Sequence, residues 1–301
     1  MRLPWLADKL YFLCELSWEM LSTDQMSLNY RQFPERIRRL FGAIVQQEKD
    51  LDHWHFDMMG QTMLIRNADG DYTPAHRSLL EFFVAHKFAA ELGVLAEDFI
   101  ELARSQSHIN SDAPQEYTWS SYFSRNMDML GNILPSASLS EFVGEPLEKL
   151  KETFGLKLLT KAVIDLLVPM LSSNKSLINI IEKMRFKSED EVGYIGGNAV
   201  TLLLKQDKLA LGRKDFSYTV IKGADFTNAS LLSTNFTGAN LAQSNFIKCL
   251  DMVCSVKFSP DNKLYATGEA CGEVRIWRVA DDKQIVVCKG HSSWVNSIAF
   301  S

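Results

Sequence analysis

Side chains that could bind a metal ion occur in two short segments of this chain. In the first, His53 and His55 flank Trp54. Residues two apart do not share one face of a helix, so the two imidazoles would not converge on one ion. Zinc would need further ligands, for which Asp52 or Asp57 would have to serve. We therefore expect no metal site here.

The second segment has the alternate-residue spacing of a calcium loop, at Asn67, Asp69 and Asp71. Such loops need glycine at the sixth position and glutamate at the twelfth, where this chain has Tyr72 and Ser78. Asn, Asp and Gly residues in a run are also typical of a tight turn. The segment is therefore predicted to be a turn that holds no ion.

Catalytic sequence elements are missing as well. The phosphate-binding patterns GxxxxGKS and GxxxxGKT do not occur in the sequence, and the pair Gly196-Gly197 is followed by Asn198. No Ser/His/Asp or Cys/His arrangement forms a local motif, and Cys14 lies in an apolar helical pattern that predicts a core position. We therefore expect no catalysis and no cofactor from this chain by itself.

Length, charge and cysteine content narrow the class of protein. The chain has 301 residues, room for roughly two or three domains. Its net charge of -5 argues against non-specific nucleic-acid binding. Five cysteines without CxxC spacing favour free thiols in a reducing compartment. We expect no signal peptide and no membrane span, and hence a cytoplasmic protein.

The first hundred residues have mostly helical periodicity, interrupted by one hairpin. Apolar side chains share one helical face over residues 34–49, and Arg36, Arg38 and Arg39 are expected on its solvated face. Residues 63–65 and 71–73 flank the turn, which predicts a β-hairpin. Because a further helix follows, we expect a winged-helix-like unit.

The start of that further helix is signalled twice. Thr73-Pro74 offers a cap with proline at the first helical position, and Ser78 with Glu81 offers a capping box. Residues 104–140 are polar and rich in Ser and Asn, which predicts a linker with some local helix.

Helical periodicity returns over residues 144–186. Pro169 is expected to end or kink one of these helices. A buried stripe is predicted at Leu147, Leu150, Phe154, Leu158, Leu159, Val163, Leu166 and Leu167.

The longest regular pattern is a five-residue repeat. Large apolar residues occupy every fifth position, and small residues stand two positions before all but the first of them. Neither a helix nor a flat strand has this period, whereas a coil of square cross-section spends five residues on each face. The pattern predicts about two coils whose open ends need a covering neighbour. The centres are Phe216, Ile221, Phe226, Leu231, Phe236, Leu241 and Phe246.

The last fifty residues contain a second repeat. Val253, Ser255, Phe258 and Ser259 recur 42 positions later, at residues 295–301, and three strand-like runs lie between. Four strands in about 40 residues are typical of one propeller blade. The sequence therefore predicts one blade and the start of a second.

Both repeats resemble known families. The segments Ala224-Asp225-Phe226-Thr227-Asn228 and Gly238-Ala239-Asn240-Leu241 are similar to the A(D/N)LxN/G pattern of pentapeptide-repeat proteins, which implies a right-handed quadrilateral β-helix. The segments at 258–261, 264–268, 274–277 and 290–291 resemble WD40 repeats.

In WD40 blades a Trp, a Ser or Thr, a His and an Asp are joined by hydrogen bonds. The resemblance assigns Trp277 and Thr267 to this network, and His291 to the repeat that follows. Cys249 stands at the His position and Cys271 at the Asp position, and Arg278 replaces the usual Asp after Trp277. We therefore expect a degenerate or terminal blade with an incomplete polar network.

Residues 72–85 resemble a third family. They are similar to the F-x-H-x-S-F-x-E-Y/F-F-A-A motif of NACHT-type signalling NTPases of the STAND class. There the motif's histidine contacts the β-phosphate of ADP, and His76 matches it at a helix start, where backbone N–H groups favour phosphate. The order of the three resemblances is that of cyanobacterial-type signalling proteins. Without a phosphate-binding loop, the chain is interpreted as a fragment of one.

The predicted architecture is multidomain α+β, with four successive regions. A helical, winged-helix-like end of a NACHT-type module covers 1–103, and a polar linker with a helical connector covers 104–190. The pentapeptide β-helix with its lead-in covers 191–248, and an incomplete WD40 β-propeller covers 249–301.

The predicted function is a non-catalytic regulatory and protein-interaction segment of a larger signalling protein. Its WD40 part would sense a protein partner, and its pentapeptide coil would act as a spacer. No nucleic acid or membrane is expected as a partner. Two alternatives stay open: a DNA-mimicking inhibitor of a DNA-processing enzyme, and residual ADP or ATP binding through His76.

Overall fold

The structure is a computed structural model. It describes residues 6–33, 64–94, 115–124, 139–171, 173–231, 233–246, 253–270, 272–281 and 283–301. The predicted helix at 34–49, the pair His53 and His55, and the positions Cys249 and Cys271 lie outside these residues.

The N-terminal region combines two helices with a small antiparallel sheet. Helix α1 spans Leu6–Ser22 and helix α2 spans Arg77–Glu91. Between them in sequence lie strands β1 (Leu28–Asn29), β2 (Leu64–Arg66) and β3 (Asp71–Pro74), and a 3₁₀ turn at Tyr30–Gln32. The sheet order β1-β3-β2 confirms the predicted hairpin and adds β1, which the sequence pattern did not predict.

The predicted turn is held by its own side chains. Asn67 Oδ1 accepts hydrogen bonds from the backbone N–H groups of Asp69 and Asp71, at 3.0 and 2.9 Å. The Asp71 carboxylate in turn accepts from the amides of Asn67 and Asn29, at 3.1 and 2.8 Å. Residues 68–70 form a turn between β2 and β3, as predicted.

Helix α2 begins later than the first cap signal predicts and earlier than the second. Thr73 and Pro74 belong to β3, where pairing with β2 holds them extended. The N-cap is His76, whose Nδ1 accepts a hydrogen bond from the Ser78 backbone N–H at 3.1 Å. Both cap predictions are therefore wrong. Thr73 and Pro74 are strand residues, and Ser78 lies inside the helix.

Helices α1 and α2 pack through buried apolar side chains. Phe12 of α1 and Val84 of α2 are fully buried. Trp18 meets Phe88 edge-on, with 5.4 Å between the ring centroids. Cys14 is also fully buried, so its prediction as a core residue is confirmed. Each large apolar side chain in this contact stabilises the fold by about 1.5–3 kcal/mol relative to exposure.

Residues within the predicted linker join this core. They form strand β4, helix α3 and strand β5, at Gln115–Tyr117, Trp119–Tyr122 and Leu139–Phe142, and β4 pairs in parallel with β5. Trp119 is 1% exposed, and its ring lies 5.2 Å from that of Tyr11 on α1. The described residues of this segment are therefore packed against the N-terminal helices.

A series of short helices begins in the predicted helical connector and continues past residue 190 into the segment predicted as the lead-in of the coil. They are α4 (Leu147–Glu152), α5 (Lys161–Leu167), α6 (Asn174–Lys183), α7 (Glu189–Val192) and α8 (Ile195–Gln206). A 3₁₀ turn at Val168–Met170 contains Pro169 and follows α5, which confirms the expected helix end. Leu158 is 42% exposed, contrary to prediction, because it lies in the irregular segment between α4 and α5. Among the described helices, none is long and apolar enough to cross a bilayer.

The five-residue repeat forms a coil whose successive turns pair in parallel. Isolated bridges join Asp215 to Asn235, Val220 to Asn240, and Asp225 to Asn245. Each bridge therefore joins residues twenty apart, which corresponds to four repeats per turn. Side chains of equivalent repeats stack, and the rings of Phe226 and Phe246 lie 4.6 Å apart.

The coil also has a five-residue period in its backbone. A left-handed residue occurs at every fifth position, and four of these carry a side chain that is neither glycine nor asparagine. Such a conformation bends the chain locally. Its recurrence at every fifth residue, four times per turn, therefore marks the corners of the coil. The corner residues are Arg213, Tyr218, Gly223, Asn228, Ser233, Gly238 and Gln243.

The C-terminal region is one four-stranded antiparallel sheet, as predicted. Its strands are β6 (Val253–Phe258), β7 (Leu264–Glu269), β8 (Glu273–Arg278) and β9 (Lys283–Lys289), in sequential order. Residues 290–301 form no strand, so the predicted first strand of a second blade is not present here. They lie against β7 instead, where the Val295 N–H donates to the Glu269 carbonyl at 3.1 Å.

Candidate functional site

Helix α8 supports the coil through direct backbone contact. A Cβ added to Gly196 would lie 2.0 Å from the Val220 carbonyl oxygen, and one added to Gly197 would lie 1.9 Å from that of Lys222. Only glycine permits this approach. The two glycines that sequence reasoning examined for phosphate binding therefore have a packing role.

Polar side chains of α8 hydrogen-bond to the coil on one side and to the helical connector on the other. Thr201 Oγ1 accepts from the Asp225 backbone N–H at 3.0 Å and so satisfies a group on the coil. The buried Asn198 amide donates to the carbonyls of Phe154 and Lys157, and its oxygen accepts from the Leu159 N–H at 3.1 Å. Helix α8 therefore joins the coil to the helical connector.

Acidic side chains of the coil are paired with cations of the helical region. Arg185 Nη1 lies 3.4 Å from Asp215 Oδ2, and Lys205 Nζ lies 3.7 Å from Asp225 Oδ2. Hydrogen bonds from Ser217, and then the charge of Arg185, hold the pKa of Asp215 below its usual range. A DNA mimic would present uncompensated carboxylates, so these pairs give the inhibitor alternative no support.

The two ends of the coil differ in exposure. Phe216, Ile221 and Phe226, which belong to the first turn, are fully buried. The four later centres are only partly buried: Leu231 at the end of the first turn, and Phe236, Leu241 and Phe246 in the second. One of the two open ends that the sequence predicts is therefore covered by this chain.

The blade contains the predicted pairing of tryptophan with threonine. Trp277 Nε1 donates to Thr267 Oγ1 at 3.0 Å, across strands β8 and β7. The same face carries a row of aromatic rings, with centroids 5.8 Å apart for Phe258 and Tyr265 and 6.1 Å apart for Tyr265 and Trp277. The face is therefore organised around a buried polar contact and an aromatic row.

Sequence reasoning missed a carboxylate beside this contact. Glu269 is 3% exposed, and its Oε1 lies 3.5 Å from Thr267 Oγ1 and 3.1 Å from Arg275 Nε. The alternation of side chains along a strand could have predicted this contact. Thr267 and Glu269 are two apart on β7 and so share a face, and Arg275 lies opposite Thr267 on β8. Cys271, which stands where the WD40 resemblance expects an aspartate, lies outside the described residues. Glu269, two positions earlier in the sequence, places a carboxylate beside Thr267.

Much of the blade's apolar surface is open. Val256 and Phe258, on the aromatic face, are 49% and 57% exposed. Val295 and Ile298 cover part of the opposite face near Gly268. Strands β6 and β9 are the two edges of the sheet. An exposed apolar row beside strand edges that no other described strand pairs is typical of a surface that another protein segment covers.

The two predicted histidines lie apart from these features. His76 is exposed, and its Nδ1 contacts Ser78 Oγ at 2.6 Å as well as accepting the cap hydrogen bond. His291 is exposed, and its side chain forms no hydrogen bond with the described residues. Within the described part of the chain, no group of His, Cys, Asp and Glu side chains could hold a metal ion.

Comparison with protein-family profiles identifies both repeat types. Residues 215–249 match "Pentapeptide repeats (8 copies)", and residues 244–278 match "WD domain, G-beta repeat". These ranges contain the coil and the first three strands of the blade. The pentapeptide and WD repeat assignments made from sequence are therefore confirmed.

Two curated proteins of Nostoc sp. (strain PCC 7120 / SAG 25.82 / UTEX 2576) are similar to this chain. "Uncharacterized WD repeat-containing protein alr3466" is 66% identical over 293 residues, which cover 97% of this chain and 19% of that protein. "Uncharacterized WD repeat-containing protein alr2800" is 32% identical over 122 residues, which cover 40% of this chain and 10% of that protein. The chain thus spans about a fifth of the length of the first relative.

No solved structure matches the chain. The matches and the geometry agree on a repeat protein in which pentapeptide repeats precede a WD repeat.

Proposed function

We propose that this chain is a non-catalytic regulatory and protein-interaction segment of a larger STAND-type signalling protein. The observation that carries the proposal is the exposed aromatic face of the blade, where Val256 and Phe258 are about half exposed beside the Trp277–Thr267 contact. A single blade has no second layer to bury that face. Burial against protein would remove apolar area from water and stabilise the assembly.

In this proposal the coil is a spacer between the blade and the helical region. We assign it the right-handed quadrilateral β-helix of pentapeptide-repeat proteins, because its bridges join residues twenty apart and its left-handed corners recur every five. The glycine contact with α8 fixes one end of the spacer to the helices. A change at the blade would then reach the helical region through a rigid element rather than a loose linker.

The proposed nucleotide role belongs to the larger protein. His76 is exposed at the start of the 15-residue helix α2, which fits the sensor position assigned by the NACHT resemblance. The chain contains no phosphate-binding loop sequence, so we propose that it does not hydrolyse ATP or GTP by itself. Cys14 and Cys288 are free thiols, which fits the proposed cytoplasmic location.

The sensor proposal is tested by protein capture with two matched variants. The double variant Val256→Glu/Phe258→Glu places charge on the aromatic face, whereas Lys257→Glu places it on the opposite face of the same strand. Partners that the unmodified chain retains should be lost from the double variant and kept by Lys257→Glu. Equal capture by all three proteins would end the sensor proposal.

A further inference from the structure

A buried ionic cluster joins the N-terminal helices. The ammonium of Lys87 on α2 contacts Glu15 of α1 and lies 2.8 Å from Glu91 Oε1, and these side chains are at most 6% exposed. Trp119 Nε1 donates to Glu15 Oε1 at 3.1 Å, and Thr153 Oγ1 donates to Glu91 Oε2 at 2.7 Å. Each of these three charged groups is therefore held in place by neutral donors or by an opposite charge.

A cavity of about 180 Å³ adjoins this cluster. Three aromatic residues line it, and two exposed residues of α4, Lys149 and Glu152, show that it reaches the surface. A water molecule occupies about 30 Å³ in the liquid, so the cavity has room for a small organic molecule. The aromatic residues in its wall are Tyr11, Trp18 and Trp119.

One carboxylate in the cavity wall has an oxygen that no described residue hydrogen-bonds. Glu145 is 7% exposed, and its Oε1 accepts from the Ser120 backbone N–H at 2.6 Å. Its Oε2 is buried and has no hydrogen bond to any residue that the structure describes. A buried carboxylate oxygen without a donor is costly, so this atom marks a place for a donor that the described part of the chain does not supply.

Lys87, the buried cation in the cavity wall, is already paired with Glu15 and Glu91. Burial alone would lower the pKa of Lys87, but the charges of Glu15 and Glu91 and their hydrogen bonds raise it well above its usual value. Lys87 is therefore a permanent cation shared by two carboxylates. Glu145 is a third buried carboxylate beside the same cavity, so the site has an excess of negative charge.

From this geometry we infer that the cavity binds a small organic cation, a primary ammonium on a short aliphatic body. Glu145 Oε2 accepts a hydrogen bond from the ammonium, and the rings of Tyr11, Trp18 and Trp119 face the aliphatic part. Aromatic faces also attract the cation itself. The ligand needs an N–H group, because a charge-assisted hydrogen bond is what the unpaired oxygen lacks. This site is independent of the blade and of the proposed sensor function.

Calorimetric titration of the full 301-residue chain with n-butylammonium chloride tests the ligand class. Butan-1-ol has the same body without charge, and tetramethylammonium has charge without an N–H. We expect n-butylammonium to bind at least about tenfold more tightly than either control, as loss of a charged hydrogen bond implies. Absence of binding would leave the cavity to water, and equal binding of the three probes would show no selectivity for an ammonium N–H; either result would overturn the inference.

Two variants assign the binding to Glu145. Glu145→Gln keeps the Oε1 acceptor for Ser120 and replaces the unpaired Oε2 by an amide, so n-butylammonium affinity should fall at least about tenfold. Glu148→Gln, at an exposed position of α4 outside the cavity wall, should leave it within about twofold.

Thermal unfolding provides a second measurement, made first without the probe and then with it. Removing a costly unpaired charge should raise the thermal midpoint of Glu145→Gln by about 2–4 °C, while n-butylammonium should no longer raise it further. A variant that folds and binds n-butylammonium like the unmodified chain would refute the assignment.

Discussion

Gly197 of α8 lies so close to Lys222 of the coil that a Cβ on the glycine would stand 1.9 Å from the lysine carbonyl oxygen. Gly196 has the same relationship to Val220, at 2.0 Å. The first turn of the coil therefore rests on the helix backbone itself. This contact, rather than any loop, couples the repeats to the helical region.

Replacing Gly197 by alanine should separate the helix from the coil. Alanine favours a helix by about 1 kcal/mol over glycine, but the overpacking against backbone costs more. We expect a net loss of about 2 kcal/mol or more in the free energy of unfolding, measured by chemical denaturation. Gly290→Ala is the matched control, because a Cβ there meets nothing within 4 Å and stability should stay within about 0.5 kcal/mol. Similar curves for both variants would contradict the close contact.

The pH dependence of stability should report His86. Burial lowers the pKa of His86 from 6.5 to about 4 in the folded chain. The unfolded chain then binds more protons between these values, so stability should fall as the pH falls from about 6.5 to 4. The full shift corresponds to a loss on the order of 3 kcal/mol. Burial raises the pKa of Glu91, which offsets part of this loss in the lower part of the window.

The test for His86 is a set of denaturation curves across that pH window. His86→Gln carries no titrating group and should flatten the dependence on pH. A variant whose stability declines in parallel with that of the unmodified chain would assign the effect elsewhere.

The Trp277–Thr267 contact should stabilise the blade locally. Trp277→Phe keeps the ring but loses the hydrogen bond to a threonine that is 7% exposed. The expected cost is about 1–2 kcal/mol in local opening, read from hydrogen exchange in β7 and β8. Trp294→Phe is the control, since Trp294 is 57% exposed, and it should leave exchange unchanged. Equal changes in hydrogen exchange for the two variants would show that the Trp277–Thr267 hydrogen bond does not stabilise the blade.

His76 offers a test that separates capping from nucleotide sensing. His76→Ala removes the N-cap acceptor of α2 and should cost about 1 kcal/mol in the free energy of unfolding. The sensor hypothesis adds that ADP binds and that the variant binds it more weakly, which calorimetry measures. A flat titration of the unmodified chain with ADP would remove residual nucleotide binding and leave the cap intact.

Periodic signals account for what the sequence predicted well. The five-residue spacing of Phe216 to Phe246 and the strand-like runs of the last region each specify local geometry, and the coil and the first blade have it, whereas the second-blade strand predicted from the 42-residue offset is absent from residues 290–301. Pro169 likewise ended a helix through its own backbone chemistry. These predictions needed no knowledge of distant neighbours.

The missed features depend on contacts between distant residues. Trp119 lies in a polar stretch, and its partner Glu15 is 104 positions away. Thr73 and Pro74 have the sequence of a helix cap, but strand pairing overrides it. The unpaired oxygen of Glu145 is visible only after the helices are assembled. Each of these follows from tertiary packing, which a single sequence does not encode as a pattern.

The central claim is that the open face of the blade is a surface that other protein covers. Hydrogen–deuterium exchange of strand β6 tests it most directly, by comparing the isolated chain with the corresponding strand in the full-length Nostoc relative alr3466. The account predicts fast exchange in the isolated chain and at least about tenfold slower exchange in the long protein. Equally fast exchange in both proteins would contradict it.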